Sequence, residues 1–502
     1  MKRNMKKTPE ITLTDSQKRV LNKIINFVFD SDDRVFILKG YAGTGKTTLM
    51  RFLIDELHQR DQIFKLLSTT GRAAKILSNH TGHEASTIHG MIYKFKDFNK
   101  DVSEYDPATT NIDKTGQIFL VFEPTTLSNE DRDSIIYIID EASMISDIED
   151  KDVIQAQFGN GRLLHELIGY DTLPQSKYIF VGDPCQLPPI LGAISPALSS
   201  EYFQSTFQMN AQQGTLTEIM RQDNSIISAG NYIRKLWENA PESASAYPIG
   251  NFWGSPLHMS LYKDIQIHLD LDELKELYLN IIKEKGYNEA IFICNSNAKC
   301  AELSNQIREA LGFTGGVKKG DLLMVVQNQN TTGLMNGDMV QVVEIRPEHE
   351  RTLKEVQCPD GYRTTLSFRE IKVKELFTGT TYNTLLLESI LNSRQTNLDA
   401  RQQSGLFLDF IFRMQRKGIN KKKNPDDFEK AMRKDPYLNA LRCNYGYAIT
   451  CHKAQGGEWN QVFIQMPRNI TLNPTKNKYQ WFYTAITRAK ETVHLCKDFF
   501  IQ

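Results

Sequence analysis

The chain has 502 residues, 40% hydrophobic and 24% charged, with Lys+Arg and Asp+Glu balanced at 60 each. That length exceeds one hydrophobic core, and a formal charge of zero excludes a globally basic surface, so any nucleic-acid binding has to rest on a local groove. No apolar run is long enough to span a membrane, the basic start "MKRNMKKTPE" lacks the apolar segment of a secretory signal, and the seven cysteines contain no C-x-x-C pair. These features predict a reduced, cytoplasmic or nucleoid-associated compartment, with no zinc site and no disulfide framework.

In chain order, the first informative stretch is "RVFILKGYAGTGKTTLMRFLIDELH". A short apolar run ends at Gly40, and Leu49, Phe52, Leu53 and Leu57 fall on one helical face beyond it. The glycine-rich loop therefore lies between a buried strand and a helix N-terminus, with the spacing G-x-x-x-x-G-K-T of a phosphate-binding loop. Gly40, Gly43 and Gly45 free the backbone to converge its amides on phosphate. Gly43, Thr44, Gly45, Lys46, Thr47 and Thr48 are the expected nucleotide contacts, with Lys46 on the β/γ-phosphates and the Thr47 hydroxyl on Mg²⁺.

Between Tyr93 and Thr126 a polar, turn-rich text is flanked by the apolar arms "MIYKFKDF" and "QIFLVFE", which predicts a hairpin inserted in the first α/β unit. "SIIYIIDEASMIS" follows, with Ile135–Ile139 reading as a strand buried on both faces. At its end Asp140 is suited to hold Mg²⁺, directly or through water, and Glu141 to orient or deprotonate the attacking water. "KYIFVGDPCQLPPI" places Gln186 in a rigid, proline-rich loop after another buried strand, where an amide can hydrogen-bond a γ-phosphate. Arg221 in "LTEIMRQ" and Arg488 in "TAITRAKE" suit charge stabilisation of a transferring phosphoryl group from across a cleft. Strands alternating with helices predict an α/β fold with parallel sheets. Residues 320–377 instead read as short strands with glycine turns, "YRTTLSF" and "REIKVKEL" being two of them, the texture of a small β-barrel, and the basic stretch Arg413–Lys423 beyond it reads as a solvated, mobile loop.

The ordered set "GYAGTGKT", "STTGRAAKIL", "STIHG", "IIDEAS", "VGDPCQLPP", "EIMRQ", "YAITCHKAQGGEW" and "YTAITRAKE" resembles a superfamily-1 DNA helicase of the RecD/Dda-like, 5′→3′ branch, over about Ile11 to Glu491. The resemblance implies two RecA-like P-loop domains with ATP between them, a β-hairpin inserted in the first and an SH3-like β-barrel in the second. It divides the chain into a first RecA-like unit at 1–225 (hairpin 93–126), the start of the second at 226–319, barrel plus basic helical insertion at 320–440, and the remainder at 441–502. Gln17 resembles an adenine-reading glutamine, and Gly457 and Glu458 the motif that contacts the nucleotide and couples it to DNA. Thr70, Gly71 and Arg72, then Thr87 and His89, resemble backbone contacts to DNA from the first unit; Thr450, His452 and Lys453 resemble those from the second. Tyr41 and Cys451 depart from the pattern, which more usually carries smaller or β-branched residues there. Nothing long precedes Gln17, so the larger RecD-type organisation is not expected.

The expected reaction is therefore ATP- and Mg²⁺-dependent movement of a monomeric motor along single-stranded DNA with unwinding at duplex junctions. Phe98 and Tyr105, near or on the hairpin's projecting middle, are the candidates for parting the strands by stacking on the last base pair. An RNA helicase, a translocase that does not unwind, and an NTP-dependent nucleic-acid-binding switch are the alternatives, because backbone-contacting motifs do not themselves exclude a 2′-OH.

Overall fold

A computed structural model describes residues 12–101, 117–127, 132–149, 155–190, 192–220, 225–247, 252–358, 361–391, 397–467, 470–497 and 500–502. In chain order the strands of the first half are β1 (Val35–Gly40), β2 (Phe64–Ser68), β3 (Ala85–Thr87), β4 (Tyr93–Phe98), β5 (Leu120–Pro124), β6 (Ile136–Asp140), β7 (Ala156–Phe158), β8 (Lys177–Gly182) and β9 (Ala211–Leu216). Those of the second half are β10 (Ile265–His268), β11 (Ala290–Cys294), β12 (Leu322–Val325), β13 (Met339–Ile345), β14 (Thr352–Gln357), β15 (Arg363–Glu375), β16 (Thr381–Leu387), β17 (Cys443–Tyr445), β18 (Ala448–Thr450), β19 (Trp459–Ile464) and β20 (Ala489–Cys496).

Two sheets are parallel throughout, in the orders β3-β2-β6-β8-β1-β9 and β10-β20-β19-β11-β18. Their central strands are the continuous apolar runs of the sequence: Ile136–Ile139, Tyr178–Val181 and Ala290–Cys294 are buried along their whole length. Helices cover both faces, as parallel sheets require. The helix Lys46–Gln59, for example, buries Leu49, Leu53 and Leu57. Strand order also separates two sets of the residues singled out in the sequence. The loops carrying Lys46, Asp140 and Gln186 follow the adjacent central strands β1, β6 and β8, whereas Thr70 and Thr87 follow β2 and β3 at one edge.

The two regions that break the α/β pattern are antiparallel in their main pairings. β4 and β5 pair as the arms of a hairpin, and β7 adds a third strand parallel to β5. The segment 102–116 between the arms lies outside the described residues. A further sheet runs β14-β15-β13-β12-β17, with β16 on β15. Here "YRTTLSF" and "REIKVKEL", read from sequence as two strands, form the single 13-residue β15, because neither Gly nor Pro interrupts them. Its closing strand β17 comes from beyond residue 440.

The largest buried cluster belongs to the second parallel sheet, yet it contains Cys185 and Leu187 from the loop after β8 of the first. Helix Ser225–Asn239 joins it through Ile226, Ala229 and Ile233. The two parallel-sheet units therefore share a core at the loop that carries Gln186. No helix among the described residues is long and apolar enough to cross a membrane.

Candidate functional site

The phosphate-loop sequence folds as its glycines require. Gly43 and Gly45 take φ of +75° and +81°, where a side chain is strained. An added Cβ at Gly43 would also meet Ile227, and one at Gly45 would meet Gln17. Gly45 stands at the N-terminus of helix Lys46–Gln59 with no side-chain cap, which leaves the first amides available to an anion. Lys46 Nζ donates back to the carbonyls of Gly40 (2.7 Å) and Tyr41 (3.2 Å). Its ammonium thus already lies inside the loop that a phosphate would share. Thr47 and Thr48 open the helix, half-buried.

Gln17 lies beneath this loop. It is 2% exposed; its Oε1 accepts the Thr14 amide at 3.0 Å and its Nε2 donates to the Thr44 carbonyl at 3.1 Å. Both ends of the amide are engaged, so in this arrangement Gln17 braces the loop. Tyr41 has the Arg234 guanidinium 4.2 Å over its ring, so the aromatic residue in an unusual place carries a contact to helix Ser225–Asn239.

Asp140 ends β6 and faces Lys46. Burial, with Glu141 adjacent, pushes its carboxyl up to about 7, while Lys46 pulls the other way. A cation at this point replaces lost water and favours the carboxylate. Glu141 follows at φ 52°, ψ 38°, a left-handed conformation uncommon outside glycine, which sets it on a sharp turn out of the strand. Gln186 is 3% exposed and its Oε1 is enclosed without a hydrogen-bond partner. A buried orphan acceptor is costly, and a donor delivered with the nucleotide or its attacking water would satisfy it.

The loop around Gln186 is gripped from the second unit. Tyr483 hydroxyl donates to Asp183 Oδ2, Thr484 Oγ1 accepts the Leu187 amide at 3.0 Å, and Gln455 and Gln480 donate to the carbonyls of Leu187 and Pro184, each at 3.1 Å. Three of these four residues lie on helix Lys476–Ile486, just before Arg488, and none of them belongs to the set expected from sequence. Their only signal was an apolar, tyrosine-rich helix, which is indistinguishable from core.

Arg488 is 6% exposed and donates only to neutral oxygens: Thr484 O at 3.2 Å, Gly457 O at 3.4 Å and Thr487 Oγ1 at 3.4 Å. Among the described residues no carboxylate pairs with it. A buried cation held by long bonds to neutral groups suits an anionic phosphoryl group. Gly457 is buried beside Arg488, and Glu458 is exposed, 4.0 Å from Lys490. Arg221 lies outside the described residues.

The residues expected to meet a nucleic-acid strand share one local design. Thr87 and Thr450 each end a strand and Thr70 lies two residues beyond one, and all three cap the next helix, accepting the amides of Gly90, Lys453 and Ala73. The structure adds two features that spacing could not show. Arg72 lies 4.5 Å over the Trp459 ring, next to Gly457, and burial lowers its guanidinium to about 10. It is thus a contact between the two units. Gly71 lies so close to Met335, in the loop before β13, that no Cβ fits, and Lys75 pairs with Asp338 there. His89 lies against Tyr93 and Phe158, and burial lowers it to about 4, so it is a neutral ring at physiological pH. Burial lowers His452 and Lys453 as well.

Two expectations are corrected. Phe98 does not project: it is 5% exposed, with Phe407 at 5.3 Å and Phe428 at 6.5 Å from its ring. The apolar face of helix Ala400–Arg416 needs a partner, and Phe98 with Ile118 supplies it. The stretch Arg413–Lys423 is a solvated loop only in part: Arg413–Arg416 close helix Ala400–Arg416, and the exposed turns that follow are tied down by ion pairs. Arg413 pairs with Asp409 and Asp435, Lys421 with Asp97, and Lys422 with Asp101, which ties the insertion to the hairpin. Tyr105 lies outside the described residues.

Residues 12–244 match a family model described as an AAA domain, and residues 445–496 one described as a UvrD-like helicase C-terminal domain. An uncharacterized protein of Acanthamoeba polyphaga mimivirus is 24% identical over 95% of this chain and 98% of its own length. The ATP-dependent DNA helicase dda of Enterobacteria phage T4 is 26% identical over 53% of this chain and 52% of its own. The ATP-dependent RecD2 DNA helicase of Deinococcus radiodurans is 24% identical over 95% of this chain, which spans 48% of that protein. Among solved structures, a Bacteroides Pif1 helicase in complex with ADP-AlF3 and ssDNA is 16% identical, with a TM-score of 0.45 over 98% of this chain and 94% of that one.

Proposed function

We infer that this chain, which belongs to the superfamily-1 helicases of the RecD/Dda type, is an ATP-dependent 5′→3′ DNA helicase. The observation that carries the reading is the buried Gln186 loop, which follows a strand of one parallel sheet and is held by four side chains of the other. A nucleotide site alone requires no such joint; a motor does, because hydrolysis in the cleft has to move one unit against the other.

In this reading Lys46 and the amides from Gly43 to Thr48 hold the phosphates. Thr47 and Asp140 hold Mg²⁺, which when bound neutralises phosphate charge. The buried Asp140 carboxyl, raised by desolvation, and the Gln186 oxygen without a hydrogen-bond partner fit a site that a charged ligand completes. Glu141 orients the attacking water and takes its proton. Arg488, and Arg221 from the segment that follows β9, stabilise charge on the transferring group. Gln17 steadies the loop below the adenine side, and Gly457 and Glu458 link the cleft to the strand. Thr70, Gly71, Thr87, His89, Thr450, His452 and Lys453 follow strands at the sheet edges, where they contact the backbone of single-stranded DNA. The antiparallel sheet β12–β17 is read as the SH3-like barrel of the second RecA-like unit, and β4–β5 as the arms of the hairpin that parts the strands.

The test is hydrolysis measured alone and with single-stranded DNA, RNA or duplex, together with unwinding of forks bearing a 5′ or a 3′ tail. Stimulation by single-stranded DNA and unwinding only from the 5′ tail are expected. Stimulation by RNA alone, or unwinding only from the 3′ tail, would overturn the assignment.

A further inference from the structure

Three phenylalanines stand side by side across the small sheet. Phe95 is in register with Phe122, and Phe122 with Phe158, so the three share one face. Phe122 and Phe158 stack at 4.7 Å and 21°, Phe95 meets Phe122 edge-on at 5.7 Å, and the row continues to His89, 5.2 Å beyond Phe158. A bulge between Phe95 and Asp97 returns Phe98 to the same face, where Phe407 covers it. The far end of this aromatic face is therefore closed, while Phe95, Phe122 and Phe158 remain half-exposed.

Of these, Phe95 and Phe122 line a crevice of about 760 Å³, within the range of ligand sites. Tyr93, Phe95 and Phe122 form one wall, and Gln327, Asn330 and Gln403 belong to the other. The Gln327 Oε1 is enclosed and has no hydrogen-bond partner. Lys94 and Arg433, held in exposed ion pairs with Glu123 and Glu429, are the cations at its lip. Gly90, next to His89, lies at the near end.

We propose that this crevice holds unstacked bases of a single-stranded nucleic acid. The proposal rests on the helicase reading and extends its track from His89 along the hairpin sheet. Aromatic faces in lateral register on a sheet stack bases irrespective of sequence, side-chain amides match the donors and acceptors of base edges, and Lys94 and Arg433 neutralise phosphates at the lip. An apolar ligand would leave the Gln327 oxygen unsatisfied; a base edge satisfies it. His89 serves the row as a neutral ring, which fits its lowered basicity among aromatics.

Fluorescence anisotropy with oligodeoxythymidylates of increasing length tests the site, each long oligonucleotide being matched by one with abasic sugars outside the segment that the shortest binder already covers. The wild-type protein is expected to gain affinity with length and to lose that gain on the abasic set. Phe122→Leu and Gln327→Ala are each expected to bind the long intact oligonucleotide about tenfold more weakly and to stop distinguishing it from the abasic one. Gln327→Ala removes no core packing and gives the answer even where Phe122→Leu fails to fold. Variants that keep the wild-type preference for intact over abasic strands would overturn the crevice assignment alone. A wild-type protein that binds no single-stranded DNA, and whose hydrolysis DNA does not stimulate, would overturn the helicase reading and this site with it.

Discussion

The hydroxyl of Tyr483 joins Asp183 to the phosphate loop. It donates to Asp183 Oδ2 at 2.8 Å and accepts the amide of Ala42 at 2.8 Å. Tyr483 belongs to the second unit, whereas Asp183 and Ala42 belong to the first, so one oxygen links the two units between the glycine-rich loop and the loop of Gln186. Asp183 is fully buried; burial raises its carboxyl, and Lys46, Tyr483 and Arg488 oppose that rise. Opening the cleft would strip the carboxylate of the tyrosine, which favours the closed arrangement.

Tyr483→Phe keeps the ring in the core and removes only the bridge. A hydrogen bond to a charged group contributes about 1.5–3 kcal/mol, so kcat for hydrolysis is expected to fall about tenfold or more, with a smaller change in KM for ATP. Steady-state hydrolysis read beside a thermal melt checks this. An unchanged kcat would show that the bridge only packs.

Glu141→Gln and Lys46→Ala should fail differently. The glutamine keeps the turn and the neighbouring Asp140 but cannot take a proton, so hydrolysis is expected to drop by a factor on the order of 10²–10⁴ with nucleotide binding retained. Lys46→Ala removes the ammonium inside the loop, so binding itself should weaken. A fluorescent ATP analogue measures binding and phosphate release measures turnover; near-normal turnover in Glu141→Gln would refute its role.

His494 makes stability depend on pH. It is 2% exposed, stacked on Phe463 at 4.2 Å, and within 3.0 Å of Gln461 and 3.1 Å of His268. Burial first, then His268, lowers it from the ordinary 6.5 to about 3. The unfolded chain therefore binds more protons between these values, and stability rises with pH there. The contribution is fully present above about 6.5 and is lost as pH falls toward 3. Melting temperature is expected to fall from pH 7 to pH 5 in the wild type, and to fall less in His494→Phe. Equal slopes would assign the loss to other groups.

How much could be read from the sequence depends on the range of the cause. The placement of Lys46, Asp140 and Gln186 at neighbouring strand ends is legible because each follows an apolar run whose burial fixes a parallel strand. β15 was read as two strands because local texture does not say where a strand pauses. The sequence does not show that Arg72 lies over Trp459 or that Phe98 lies against Phe407, partners 387 and 309 residues away. A solvent-seeking arginine and a projecting aromatic look the same, residue by residue, as those that join two units. The Gln186 loop shows the same limit: its proline-rich rigidity was visible, but its four holders lie in the last tenth of the chain or close to it.

The correction at Phe98 changes what the hairpin is expected to do. A pair of strands carrying a polar tip has no stiffness of its own, and an obstacle at a duplex junction has to resist about 1.4 kcal/mol per base-pair step. Here the stiffness comes from outside the hairpin. Phe98 and Ile118 enter the cluster of Phe407, Phe410, Ile411 and Phe428. The Ile118 amide donates to Ser404 Oγ at 2.8 Å, and Lys421 and Lys422 pair with Asp97 and Asp101. Truncating a buried phenylalanine costs about 3–5 kcal/mol, more than one such step. Phe98→Ala is therefore expected to free the hairpin from helix Ala400–Arg416 and slow duplex unwinding at least tenfold. Hydrolysis stimulated by single-stranded DNA should persist, because Phe98 touches neither the cleft nor the capped helices at the sheet edges. Lys421→Ala should act in the same direction but weakly, since the ion pair is partly solvated. Fork unwinding and DNA-stimulated hydrolysis measured on the same preparations separate the two effects. If both fall together in Phe98→Ala while the melting temperature holds, the contact serves the motor, and the brace on the hairpin is not its purpose.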